Sequence, residues 1–198
     1  MPRSARRKQL LAAAQEVFVA HGYHAAAMDD IAERAGVSKP VLYQHFPGKL
    51  ELYLALLDTQ AEALADAVTD ALARTSDNRA RIHGVLTAYF EFVDRDDEDG
   101  AFRLIFETDL GNEPAVRRRV EAVTAKTMEA VADVVAGDTG LNRSSAQLLA
   151  TALTGAAQVA ARWWLASERP VSQADAVRLL EGLLWRGIAN FPRTDPAT

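Results

Sequence analysis

The chain has 198 residues, of which 49% are apolar, a quarter are charged and none is cysteine. That length can bury a real core in one or two domains, and the missing cysteine excludes disulfides, thiolate metal sites and cysteine nucleophiles. The formal charge of −5 argues at first against nucleic acid, but residues 1–50 hold seven Lys/Arg against four acids, so a +3 segment precedes a remainder of −8.

Thirty-eight alanines with few prolines suit helices rather than strands. Gln15 and Glu16 interrupt the apolar stretch after the basic start, so a signal peptide is not expected. No run approaches the ~18 apolar residues of a membrane span, and a soluble cytoplasmic protein is expected. Residues 5–20 set Leu10, Ala14, Val17 and Phe18 on one helical face, with Ser4 as N-cap and His21-Gly22 as the stop. A second helix over about 28–35 carries Ile31, Ala32 and Ala35 and ends at Gly36. Ser38 caps a short third helix through Phe46, with Pro40 in its first turn. Pro47-Gly48 breaks the chain before a long helix over about 49–74.

Beyond 75–78 the apolar residues become larger. The spacing of Ile82, Val85, Leu86, Tyr89, Phe90 and Val93 predicts a helix over 79–94. An acidic loop (95–100) then precedes a short helix with Phe102, Ile105 and Phe106. Pro114 starts a helix to about Ala136, and 137–140 read as a turn. Two helices, about 143–166 and 172–190, finish an all-α chain of about nine helices.

Met28 to Phe46 form two short helices joined by Gly36-Val37-Ser38, a helix-turn-helix with Val37 as its apolar plug. Leu42 and Phe46, four apart, face the core. Lys39, Pro40, Val41 and Gln44 fall elsewhere on the cylinder, where base edges could be met, and Tyr43, His45 and Lys49 suit phosphate oxygens. Such a turn alone equally suits an ordinary three-helix core. Wider comparison favours DNA. Residues 4 to about 57 resemble the DNA-binding domain of the tetracycline-repressor (TetR) family. The matching pieces are Ala13–Phe18, His21-Gly22-Tyr23, Met28–Ala32, Ala35–Ser38, Leu42–Phe46 and Lys49. The resemblance implies base contacts from Lys39, Pro40, Val41 and Gln44, and phosphate contacts from Tyr43, His45 and Lys49. Arg3, Arg6 and Arg7 would lie near the backbone or minor groove. Ala27 departs from the family's usual Ser or Thr and can neither cap the second helix nor touch phosphate.

The resemblance divides the chain into a DNA-binding domain (1–48) and a helical effector-binding and dimerisation domain (49–198), joined by the helix at 49–74. In the helix at 143–166 the polar residues Gln147, Thr151, Thr154, Gln158 and Arg162 form one narrow stripe, so this helix has two things to pack on. The last helix carries paired apolar stripes. A homodimer through 143–166 and 172–190 follows, with a helix buried inside one chain as the alternative. Candidate pocket residues are His83, Leu86, Tyr89, Phe90, Phe102, Phe106, Met128 and Trp163, suited to a hydrophobic or aromatic effector; the same spacing also suits plain core.

The acidic loop does not fit a calcium-loop register, His21 and His24 straddle a helix end, and no nucleotide-binding or hydrolase motif occurs. No catalytic residue, metal or cofactor is expected. The reading is a dimeric, ligand-responsive regulator, a repressor, binding a near-palindromic double-stranded operator, with an effector moving the 49–74 helix. A regulator without an effector, and an all-α enzyme or interaction module, are the alternatives.

Overall fold

A computed structural model describes residues 2–94, 110 and 112–187. Among these there are eight helices and no strand: α1 (Arg3–Ala25), α2 (Met28–Arg34), α3 (Lys39–His45), α4 (Lys49–Ala73), α5 (Asn78–Asp94), α6 (Pro114–Thr139), α7 (Arg143–Ala166) and α8 (Gln173–Arg186). The expected acidic loop and the short helix with Phe102, Ile105 and Phe106 lie outside the described residues, as does everything after Gly187. No described helix is long and apolar enough to cross a membrane. The chain falls into two compact units, Met1–Ala65 with Phe92–Lys126 and Asp66–Glu91 with Thr127–Thr198.

The first unit is built on α1, α2, α3 and the first two-thirds of α4, with the start of α6. Leu10, Ala14, Phe18, Ile31, Leu42, Phe46, Leu52 and Leu56 are all buried. Each large apolar side chain removed from water stabilises the fold by about 1.5–3 kcal/mol. The rings of Phe18, Tyr23 and Tyr53 meet at 5.2–5.8 Å and join the end of α1 to α4. Gly36, at φ 63°, makes the reversal between α2 and α3, a conformation that a Cβ would strain.

Several helix ends differ from the expectation. Gly22 breaks α1 where expected, at φ 72° and ψ 165°, but helix resumes after the break as far as Ala25. Pro2 rather than Ser4 is the N-cap of α1, and Ser38 precedes α3 without a side-chain cap bond. The expected turn at Gly137-Asp138 is helical, so α6 continues to Thr139 and Gly140 (φ 69°) ends it.

In the second unit α7 buries a stripe of small residues, Ala146, Ala150, Thr154, Ala157 and Ala161, and ends on Trp164, whose ring lies 5.3 Å from Phe90. Thr154, expected on the polar stripe, is buried and donates its hydroxyl to the Ala150 carbonyl at 2.7 Å. Asn142 and Ser172 cap α7 and α8 by accepting from the amides of Ser145 and Asp175. The turn between them holds Glu168 and Arg169 at φ 58° and 55°. Trp164 Nε1 donates to the Val171 carbonyl at 2.8 Å across that turn, and the Arg169 guanidinium lies 5.7 Å from the Trp164 ring.

Candidate nucleic-acid interface and ligand cavity

The α3 helix is held from behind. Leu42 and Phe46 are 0% and 2% exposed, which leaves Lys39, Pro40, Tyr43 and Gln44 on the open side of α3. Val41 and His45 are half-buried at its edge. Arg3 and Arg6 of α1 come beside Val41, Gln44 and His45 and line one open polar depression with them. Five of the ten residues expected at DNA thus share a surface. Arg6 also donates to Gln9 Oε1 at 2.9 Å, and Gln9 Nε2 donates to the Ala35 carbonyl at 2.7 Å, fixing α1 against the turn.

Besides Arg6, three expected contacts are engaged within the protein. Lys39 Nζ donates to Asp29 at 2.5 Å, and this hydrogen bond holds its ammonium above the ordinary lysine value. The Arg7 guanidinium stacks 4.5 Å over the Phe46 ring. Lys49, expected at phosphate, donates instead to the carbonyls of Tyr23 (2.8 Å), His24 (3.3 Å) and Ala26 (2.9 Å), with its ammonium 4.5 Å over the Tyr23 ring. These carbonyls lie at the end of α1, where no further turn of helix can satisfy them. Burial, followed by the carboxylates of Glu51 and Glu113, raises the Tyr23 phenol above its ordinary value.

The second unit holds a cavity of about 420 Å³. Its walls are Ile82, Val85 and Leu86 of α5, Val131, Val134 and Val135 of α6, and Leu149, Ala152 and Leu153 of α7, with Leu184 and Trp185 of α8 closing one side. Of the expected pocket residues that are described, Leu86 alone lines it. His83 is half-exposed and its Nδ1 meets Glu181 at 2.9 Å. Tyr89 and Phe90 are core, 3% and 1% exposed; burial raises the Tyr89 phenol, against a hydrogen bond with Thr127. Met128 sits beside the Thr151 hydroxyl. Trp163 is 61% exposed, because one residue is 100° of helix and Trp164 takes the inward direction. Phe102 and Phe106 lie outside the described residues. The valines of α6 and Ile82 and Val85 of α5 were legible as apolar stripes, but periodicity does not tell a lining residue from core.

Residues 10–56 match the family model of bacterial regulatory proteins, tetR family. Over 194 residues the chain is 45% identical to the HTH-type transcriptional activator FasR of Mycolicibacterium smegmatis, covering 98% of this chain and 88% of that protein. The chain belongs to the TetR family. It is a DNA-binding transcriptional regulator with a helix-turn-helix reading head. Among solved structures, a TetR-like transcriptional regulator from Rhodococcus sp. RHA1 shares 28% identity at TM-score 0.74, covering 96% of this chain and 98% of that one. The regulator FadR from Bacillus subtilis, in complex with stearoyl-CoA, shares the fold at TM-score 0.75 with 16% identity, over 91% of this chain and 98% of that one. Among the described residues no cluster of three or more metal-ligating side chains occurs.

Proposed function

We propose that this TetR-family protein is a cytoplasmic, non-enzymatic homodimer that binds a near-palindromic operator and is controlled by an apolar small molecule. Residues 1–48 serve as the DNA-binding domain and the rest as the effector and dimerisation domain. Lys39, Pro40, Val41 and Gln44 meet base edges, and Tyr43, His45, Arg3 and Arg6 meet the backbone. The observation that carries this reading is the single surface shared by Arg3, Arg6, Val41, Gln44 and His45. Arg7 and Lys39 join once DNA phosphate or a base edge replaces their present partners. Lys49 acts from within, by holding the end of α1 against the start of α4.

Pairing runs through α7 and α8. Leu148, Val159 and Trp163 are 71%, 68% and 61% exposed, and Leu179 and Leu183 add exposed apolar side chains on α8. A monomer rarely leaves so much contiguous apolar area in water. The effector enters the cavity of about 420 Å³, a size ordinary for small-molecule sites, and the stearoyl-CoA complex of FadR supports an acyl chain as its class. A ligand that prefers the non-binding spacing of the two reading helices is sufficient for control. The likeness to FasR, an activator, supports activation rather than the expected repression as the sign of control.

Selection from random double-stranded DNA, followed by fluorescence anisotropy on the enriched sequence, tests the reading. Enrichment of a two-fold-symmetric site bound by two chains is expected. Enrichment of no sequence, or binding by one chain alone, overturns it.

A further inference from the structure

We propose that the cavity of the second unit takes a ligand with an acidic head group, bound by Arg81, and an alkyl tail. This rests on the cavity being the effector site. The charged side chains of the cavity lie at one end only, and Thr154 of α7, also in its wall, gives its hydroxyl to the Ala150 carbonyl. Asn78 and Arg81, from the first turn of α5, meet Asp138 and Thr139, from the last turn of α6. Leu86 lies eight residues after Asn78 on α5 and Val131 seven residues before Asp138 on α6, about 10–12 Å from the rim at 1.5 Å per residue, and both are aliphatic.

Arg81 is fixed at that rim. Its Nε donates to the carbonyls of Leu72 at 3.1 Å and Thr75 at 2.8 Å. Its Nη1 donates to Asn78 Oδ1 at 3.0 Å and Asp138 Oδ2 at 2.5 Å. Among the described residues Nη2 meets no acceptor. The side chain is only 18% exposed, while its partner Asp138 is 35% exposed. A guanidinium carries five N–H donors in a rigid fork, so with Nε and Nη1 engaged one nitrogen of this cavity-lining side chain keeps donors for a ligand. A carboxylate takes it with a charge-assisted bond. An ester or alcohol gains an ordinary hydrogen bond there, and an ammonium meets a like charge. Asp138 is the resident anion, which competes with an acidic head for the same guanidinium and keeps its affinity moderate.

The test uses the full-length protein with dodecanoate and methyl dodecanoate, below their aggregation limits, by calorimetry and thermal shift at neutral pH. Dodecanoate binds more tightly than the ester in the wild-type protein. Asp138→Asn, which keeps a bond to Arg81 but removes the competing charge, tightens dodecanoate about tenfold, equivalent to about 1.4 kcal/mol, and leaves the ester within about twofold. A gain of this kind cannot come from misfolding. Ester binding equal to or tighter than dodecanoate, or a substitution that moves both alike or neither, overturns the head-group assignment and leaves the effector cavity standing. Binding of neither compound overturns the cavity as an effector site as well.

Discussion

Lys49→Met removes the ammonium and keeps the aliphatic stem, so it isolates what that charge does. In the folded protein the ammonium satisfies the carbonyls of Tyr23 and Ala26 in a partly buried setting and that of His24 nearer solvent. A hydrogen bond to a charged group contributes about 1.5–3 kcal/mol net, and the cation over the Tyr23 ring adds about 0.5–1 kcal/mol. Water recovers part of this at the exposed carbonyl, which leaves a loss of about 2–3 kcal/mol. For a chain of this size each kcal/mol moves Tm by about 2–4 °C, so thermal unfolding followed by circular dichroism is expected to shift down by about 5–10 °C. Near the operator the number of counterions released is expected to stay the same. A phosphate donor behaves in the opposite way, with stability untouched and a salt slope reduced by about 0.9. A Lys49→Met protein that melts at the wild-type temperature and loses that much slope refutes the capping role.

Other predictions address the remaining surfaces. Lys39→Ala frees Asp29 at an exposed site, so it is expected to change stability by less than about 0.5 kcal/mol while altering the sequence recovered in DNA selection; an unchanged consensus counts against a base contact. Leu148→Glu with Val159→Glu puts two charges on the apolar face of α7, and light scattering is expected to show one chain of 21.5 kDa where the wild-type shows two. The Arg79 guanidinium, and after it His83, hold the Glu181 carboxyl below its ordinary value of 4.5. A depressed carboxyl stabilises the fold above its unfolded value and loses that contribution as pH falls through the lower folded one. Acid unfolding is therefore expected to steepen below about pH 4.5, and Glu181→Gln is expected to destabilise at pH 7 by about 1–3 kcal/mol and to flatten that limb.

The sequence exposed the reading head clearly, because its signals are local. Leu42 and Phe46 at a spacing of four, Gly36 at the turn and Pro40 in the first helical turn act within one or two turns of helix, and each sits where the periodicity puts it. Glycine was an uneven stop signal: Gly22 breaks the helix where expected, whereas Gly137 passes inside α6 at a cost of only about 1 kcal/mol. Long-range partners were invisible to period. Nothing near Lys49 announces the Tyr23 carbonyl 26 residues away, and Arg81 and Asp138 are 57 residues apart. The two tryptophans show the limit of phase: Trp163 and Trp164 look alike in sequence, and only the neighbouring Phe90 decides which turns inward.

The turn after α7 bears on association. Two non-glycine residues in left-handed conformation cost of order 1–3 kcal/mol each, and here Glu168 and Arg169 both adopt it. Trp164 holds the strained turn from inside, through Phe90 on one side and the Val171 carbonyl on the other. The turn between α7 and α8 is therefore held by the chain's own interior. The proposed pairing through these helices would then join preshaped halves and be spared the ordering entropy that association otherwise demands, and loosening Trp164 would weaken it from within.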